Sequence, residues 1–170
     1  MRIRLVWLVV AVVFMLVIPT PARADGHRAG LFGGYSAAEG SVLNGVNISF
    51  DHTFDVSNKG DWRKYLAVMA DFSSHETGRK VFSAGVSASG RFDRVVVAAH
   101  GLVGRVWGDG SADVAGTLGG DIEFVAVSRT LSSKAVVEIA PLARADYIVR
   151  RGTAPSFWRV STGLVVRWSK

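Results

Sequence analysis

Apolar and polar side chains alternate with a period of two along most of the chain after residue 24. Such alternation is typical of a β-strand that has two chemically different faces. No amphipathic helix of any length interrupts the pattern. Eight alternating segments cover residues 29–37, 43–54, 63–74, 80–92, 94–107, 112–127, 134–150 and 157–168. The pattern therefore predicts an all-β chain with eight strands.

The connectors between these segments are short and contain Gly, Ser, Asp and Asn; they include residues 38–41, 57–61, 75–78, 108–111, 128–133 and 152–155. None is long enough for a crossover helix, so consecutive strands should pair antiparallel in an up-and-down order. Closure into a barrel removes both exposed edges of such a sheet. We therefore expect one domain, a β-barrel over residues 25–170.

The last segment shows the two faces most clearly. One face is largely apolar and has a tryptophan at each end, Trp158 and Trp168, whereas the other carries Arg159 and Arg167. Alternation alone does not say which face is outside. A soluble, lipocalin-like barrel has its apolar face inside, and a membrane barrel inverts this arrangement.

The composition of the polar face favours the membrane barrel. This face is built mainly from Gly, Ser, Ala, Asp and Arg, whereas a strand surface in water is normally richer in Lys and Glu. The narrow interior of an eight-stranded barrel is filled by side chains, and unpaired charges there would be costly, so opposite charges should pair. Together with Arg91, the predicted lumen network contains Asp71, Asp121, Glu123, Glu138, Arg144, Asp146, Arg159 and Arg167.

Aromatic residues near the ends of the apolar faces point the same way. They are Phe82, Phe92, Tyr147, Trp158 and Trp168. Membrane barrels place aromatic girdles at both membrane interfaces, and a tilted strand crosses the bilayer with about 9–11 residues. The sequence thus predicts a transmembrane barrel with these aromatics at the interfaces.

The first 24 residues have the features of a cleaved secretory signal peptide. Arg2 and Arg4 precede an apolar run, and Ala22-Arg23-Ala24 supplies small residues for cleavage. Removal takes away three arginines, so 20 − 3 = 17 basic residues face 14 acidic ones and the net charge falls from +6 to about +3. The basic residues are scattered, which argues against a nucleic-acid partner.

Six short motifs occur in order along the chain: LFGGYS at 31–36, MADFS at 69–73, AAHGLVG at 98–104, GGD at 119–121, RADY at 144–147 and VSTGLV at 160–165. In these motifs the chain resembles small bacterial outer-membrane β-barrel proteins similar to outer-membrane protein A. The resemblance implies an eight-stranded barrel with both termini on the periplasmic side, without cofactor or catalytic residues. It also implies contact with outer-membrane lipid and lipopolysaccharide, and with the barrel-assembly machinery during insertion. Such proteins usually end on an aromatic residue, whereas here Ser169 and Lys170 follow Trp168.

Candidate chemistry is sparse. The four histidines form neither an HxH nor an HExxH pair, so no metal site is predicted. We expect His100 and Leu102 to face the lumen. Some eight-stranded outer-membrane barrels are lipid A deacylases that use Ser, His and Glu, but Gly101-Leu102 follows His100 in place of their serine-asparagine pattern.

The preferred function is therefore non-enzymatic: an outer-membrane barrel with a filled lumen and a role in envelope integrity or surface contact. Two alternatives stay open at this stage. One is a secreted soluble barrel that binds a small apolar ligand, and the other is an outer-membrane hydrolase that modifies lipid A. The sequence says nothing about the oligomeric state.

Overall fold

The structure, a computed structural model, describes residues 27–38, 43–57, 62–76, 78–108, 110–131, 133–152 and 154–169. The predicted signal peptide lies outside these residues. Within them, no helix is long and apolar enough to cross a membrane. The strands are β1 (His27–Ala38), β2 (Leu43–Ser57), β3 (Trp62–His75), β4 (Lys80–Phe92), β5 (Val95–Gly108), β6 (Ser111–Phe124), β7 (Val127–Thr130), β8 (Val136–Arg151) and β9 (Phe157–Ser169).

Eight of these strands form a closed antiparallel barrel. Strands β1 to β6 each pair with the next strand in the chain, β8 pairs with β9, and β9 pairs with β1. The pairing of β6 with β8 joins the remaining edges. The prediction of an all-β, eight-stranded, up-and-down antiparallel barrel is confirmed. For orientation, we call the end that holds His27 and Ser169 the terminal end and the opposite end the distal end.

The connection between β6 and β8 differs from the prediction. Residues 112–127 were expected to form one strand and 128–133 a plain connector, but β6 ends at Phe124 and Val127–Thr130 forms the short strand β7. This difference arises because β8 begins at Val136, whereas its pairing with β6 extends only as far as Leu142 and leaves the first residues of β8 without β6 as a neighbour. The chain therefore folds back, and β7 pairs with residues 136–139 of β8 beyond the end of β6.

The barrel has apolar residues outside and polar residues inside. On β9, Trp158 and Leu164 are 52% and 56% exposed, whereas Arg159 between them is fully buried. The same alternation runs around the barrel, because exposed leucine, valine, isoleucine and phenylalanine face outward on each long strand. His100 and Leu102 face inward, as predicted, and are buried. The exterior is thus the bulky apolar face.

Candidate functional site

The centre of the barrel holds an ion cluster built around Arg159. This residue on β9 lies directly opposite Asp146 on β8, and its Nη2 atom is 2.5 Å from the Oδ2 atom of that carboxylate. The same Nη2 atom lies 2.8 Å from Oδ2 of Asp71, which comes from β3 across the lumen. Its Nη1 atom donates a hydrogen bond of 2.9 Å to Ser73 Oγ. One guanidinium therefore links three strands through the interior.

Arg144 extends this cluster. Its Nη1 atom donates hydrogen bonds to Asp71 Oδ1 at 3.2 Å and to Ser49 Oγ at 3.1 Å. Its Nη2 atom lies 3.6 Å from Asp121 Oδ2, and its guanidinium stands over the ring of Phe32. Three carboxylates, of Asp71, Asp121 and Asp146, are thus shared between two arginines.

His100 is held between two of these carboxylates. Its Nε2 atom lies 2.7 Å from Asp146 Oδ1, and its Nδ1 atom lies 3.6 Å from Asp121 Oδ2. The imidazole side chain has no exposed surface. Both ring nitrogens thus face acids inside the lumen, and neither is exposed to solvent. The imidazole is placed as a structural bridge.

A glycine makes room for this bridge. A Cβ atom on Gly119 would lie 2.2 Å from Asp146 Oδ1 and 2.6 Å from His100 Nε2, far inside van der Waals contact. Gly116 on the same strand faces open space instead. The small residue at position 119 is therefore a packing requirement of the hydrogen bond between His100 and Asp146.

A second group of ion pairs lies nearer the terminal end. Both terminal nitrogens of Arg167 donate hydrogen bonds to the carboxylate of Glu123, and Nη2 is 3.5 Å from Asp51 Oδ1. Beyond this pair, Arg91 Nη1 donates a 2.7 Å hydrogen bond to Glu138 Oε1. At the distal end, Arg150 is paired with Asp113.

Two apolar clusters enclose the central ions. The distal cluster consists of Ala38, Val81, Val106, Ala115, Ile148 and Phe157, and the other consists of Phe32, Val96, Val125, Ala140, Leu142 and Val165. Beside the second cluster, a lumen cavity lined by Phe32, Leu142 and Val165 together with Arg144 and Arg167 has a volume of about 20 Å³. That space suits about one water molecule, so the interior is a filled core and not a channel.

The outward aromatics form two belts. Phe82, Tyr147 and Trp158 lie toward the distal end, where Tyr147 and Trp158 are paired across β8 and β9 with ring centroids 5.0 Å apart. Phe92 and Trp168 lie toward the terminal end, where Phe92 packs against Trp62. The five aromatics named from the sequence are thus split between the two ends of the exterior.

All nine residues of the predicted charge network, Arg91 included, lie on the inward face. The structure groups Asp71, Asp121, Arg144, Asp146 and Arg159 in the central cluster, and it places Glu123 with Arg167 and Glu138 with Arg91 outside that cluster.

Sequence reasoning left several participants out of this network. They are Arg28, Asp51, His100, Asp113 and Arg150. All five lie on the inward-facing positions of their strands, so the same two-residue period identifies them. Among the described residues, no group of three or more His, Asp or Glu side chains is arranged to hold a metal ion.

Comparisons with known proteins support the fold. No protein-family model matches the chain, and no curated protein does. The solved structure of Neisserial surface protein A (NspA) is similar, with a TM-score of 0.63 and 17% identity over 88% of this chain and 100% of that one. A de novo designed transmembrane β-barrel (12% identity, TM-score 0.44, 85% and 98% covered) and the Yersinia pestis outer membrane protein Ail (14%, 0.42, 84% and 99%) also match. The likeness to NspA establishes a shared barrel fold, and the resemblance to the outer-membrane protein A group stays a prediction.

Proposed function

We propose that the chain is a non-enzymatic outer-membrane β-barrel that supports envelope integrity or surface contact. The observation that carries the proposal is an apolar exterior bounded by two aromatic belts. Burying that exterior in lipid removes from water a surface that no soluble monomer of this size normally exposes. The chain would reach the outer membrane by export after cleavage of residues 1–24, and the barrel-assembly machinery would insert it.

The spacing of the belts supports a membrane of ordinary thickness. Phe82 and Phe92 are 92 − 82 = 10 residues apart on β4, which is about 33 Å along an extended strand. A strand tilt of about 35–45° reduces the height to about 25 Å, the height of the apolar band in outer-membrane barrels. Trp158 and Trp168 on β9 have the same separation.

The filled lumen favours a structural role over transport or ligand carriage. A soluble carrier barrel needs an internal pocket for its ligand, whereas the lumen cavity beside Phe32 and Arg144 has a volume of only about 20 Å³. A pore needs a continuous aqueous path, but apolar clusters lie on both sides of the central ions. Neither the soluble carrier nor a wide pore fits this interior.

The burial of His100 argues against a lipid A hydrolase that uses this histidine as its base. A general base must reach the proton it removes, and the His100 side chain is fully buried between Asp121 and Asp146. Lipid A from cells that express wild-type protein or His100→Ala should be chemically identical to lipid A from cells without the gene. A modification present only with the wild-type protein would support the enzyme instead.

Membrane fractionation combined with gel mobility tests the proposal. We expect the protein in the outer-membrane fraction, with a mobility in unheated detergent that differs from its mobility after boiling. A protein found in the soluble periplasmic fraction, with the same mobility in both samples, would contradict the proposal.

Loss of the gene should increase the sensitivity of the cells to detergent or bile salts, and unchanged sensitivity would argue against a role in envelope integrity.

A further inference from the structure

The charged side chains that face outward from the described long strands have one sign. On the described parts of the eight long strands, every outward-facing charged side chain is basic: Lys64, Lys80, Arg105 and Arg151. Each is exposed, and each is next to a buried inward residue, for example Val81 beside Lys80 and Val106 beside Arg105. Lys64 is at the terminal end, and the other three are at the distal end.

The strand register brings these three distal cations together. Arg105 on β5 is opposite Val114 on β6, and Val114 is opposite Arg151 on β8. Arg105 and Arg151 are therefore two strands apart, at most about 10 Å between Cα atoms. Lys80 is opposite Trp107 on β5 and is thus the diagonal neighbour of Arg105, about 7–8 Å away. Flexible side chains of this length can converge on one small anion.

These side chains have no acidic partner in the described part of the molecule. No ion pair or hydrogen bond joins Lys80, Arg105 or Arg151 to a carboxylate there. The neighbouring arginines do have contacts within the molecule: Arg150 faces inward and pairs with Asp113, and the guanidinium of Arg79 stacks over the ring of Phe157. Within the described residues, the distal exterior therefore has three clustered positive charges that no carboxylate neutralises, and they are placed to meet an anion.

The depth of the cluster identifies the kind of ligand. Arg105 is directly opposite Phe82, and Lys80 is directly opposite Trp107, so these two cations lie at the level of the distal aromatic belt. Arg151, the last residue of β8, is aligned with Arg105 through Val114. Aromatic belts mark the headgroup region. Three cations also exceed what the single negative charge of a phosphodiester needs, but they suit a phosphomonoester, which carries a charge of about −1.5 to −2.

We infer that Lys80, Arg105 and Arg151 form a binding site for a phosphate of the lipid A headgroup on the outer surface of the barrel. This inference rests on the proposed function, since it requires the distal end to lie in the outer leaflet. The site would fix one lipopolysaccharide molecule against β4, β5, β6 and β8. It would also set the depth and orientation of the barrel in the membrane.

Native mass spectrometry of the folded, signal-cleaved protein tests the site. The probes are lipid A with both phosphates, chemically dephosphorylated lipid A, and phosphatidylglycerol. The test variant is K80Q/R105Q/R151Q, and the control variant is R63Q/K64Q/R129Q, which removes three exposed cations on β3 and β7 at the terminal end. Heat-dependent gel mobility of each sample shows separately whether a folded barrel is present.

We expect the wild-type protein and the control variant to retain one phosphorylated lipid A. The distal variant should bind it about 100-fold more weakly. Each cation removed costs about one kcal/mol of binding free energy, and about 1.4 kcal/mol corresponds to a factor of ten in affinity. Equal binding by the distal variant, or equal retention of dephosphorylated lipid A or of phosphatidylglycerol by the wild-type protein, would overturn the assignment. A chain that shows no folded barrel would contradict the proposed function itself.

Discussion

Arg159 and Asp146 are directly opposite on β9 and β8, and both are fully buried with their charged groups 2.5 Å apart. Asp71 reaches the same guanidinium from the far side of the lumen. A single pair therefore connects neighbouring strands to each other and to the opposite wall. Because both residues are buried, each charge depends on the other for its stabilisation.

Replacing Arg159 alone should weaken the barrel strongly. Arg159→Met leaves the carboxylates of Asp71 and Asp146 without their shared partner, and breaking a buried pair in this way costs about 3–5 kcal/mol. Reversible urea unfolding in lipid vesicles, followed by tryptophan fluorescence, measures the loss.

The exposed Arg63→Met is the matched control and should change stability by less than about 0.5 kcal/mol. The double variant Arg159→Met/Asp146→Asn removes one of the two carboxylates left without Arg159 and should recover part of the lost free energy of unfolding. Equal stability of Arg159→Met and Arg63→Met would contradict the role of the central cluster.

Gly119→Ala should also destabilise the barrel, by about 1–3 kcal/mol. The added Cβ would overlap the hydrogen-bonded atoms of His100 and Asp146, and crowding of this kind strains a packed core. Gly116→Ala on the same strand is the control, since its Cβ would meet no atom within 4 Å. The same unfolding assay compares the two, and a larger loss for Gly116→Ala would refute the packing argument.

The two-residue period was sufficient to predict the eight barrel strands, their order and which residues share a face. A one-residue slip would reverse every side chain on a strand, so the period alone assigned Asp71 and Arg159 to the same side. The partners within the lumen depend on more than the period. His100 meets Asp146 only because β5, β6 and β8 align in one particular register.

The apolar clusters inside the lumen show a second limit of the pattern. Phe157, Ile148 and Val81 occupy positions that the alternation reserves for polar residues, and the structure buries them at the distal end of the lumen. Strand β7 was missed for a related reason. It forms because β8 extends beyond β6, and that mismatch in length is a property of the closed barrel and not of residues 127–130 themselves.

A charge placed on the exterior should be costly in a depth-dependent way. Val86 is 62% exposed and lies between Phe82 and Phe92 on β4, so Val86→Arg would put a cation near the bilayer midplane. The expected cost is about 2–4 kcal/mol. Val56→Arg, near the terminal end of β2, should cost at most about 1 kcal/mol. Equal and small costs in vesicles would indicate that water, not lipid, surrounds Val86.

Site-directed spin labelling tests the polarity of the barrel most directly, and the absence of native cysteine means that each label has a single position. Labels replacing Val86 and Leu164 would report on the outer face between the belts, and a label replacing Arg63 would report on the water-exposed terminal end. In bilayers, we predict that the first two are relaxed strongly by oxygen and weakly by a water-soluble nickel complex, with the reverse at position 63. Strong relaxation by the nickel complex at positions 86 and 164 would show that the apolar face does not meet lipid.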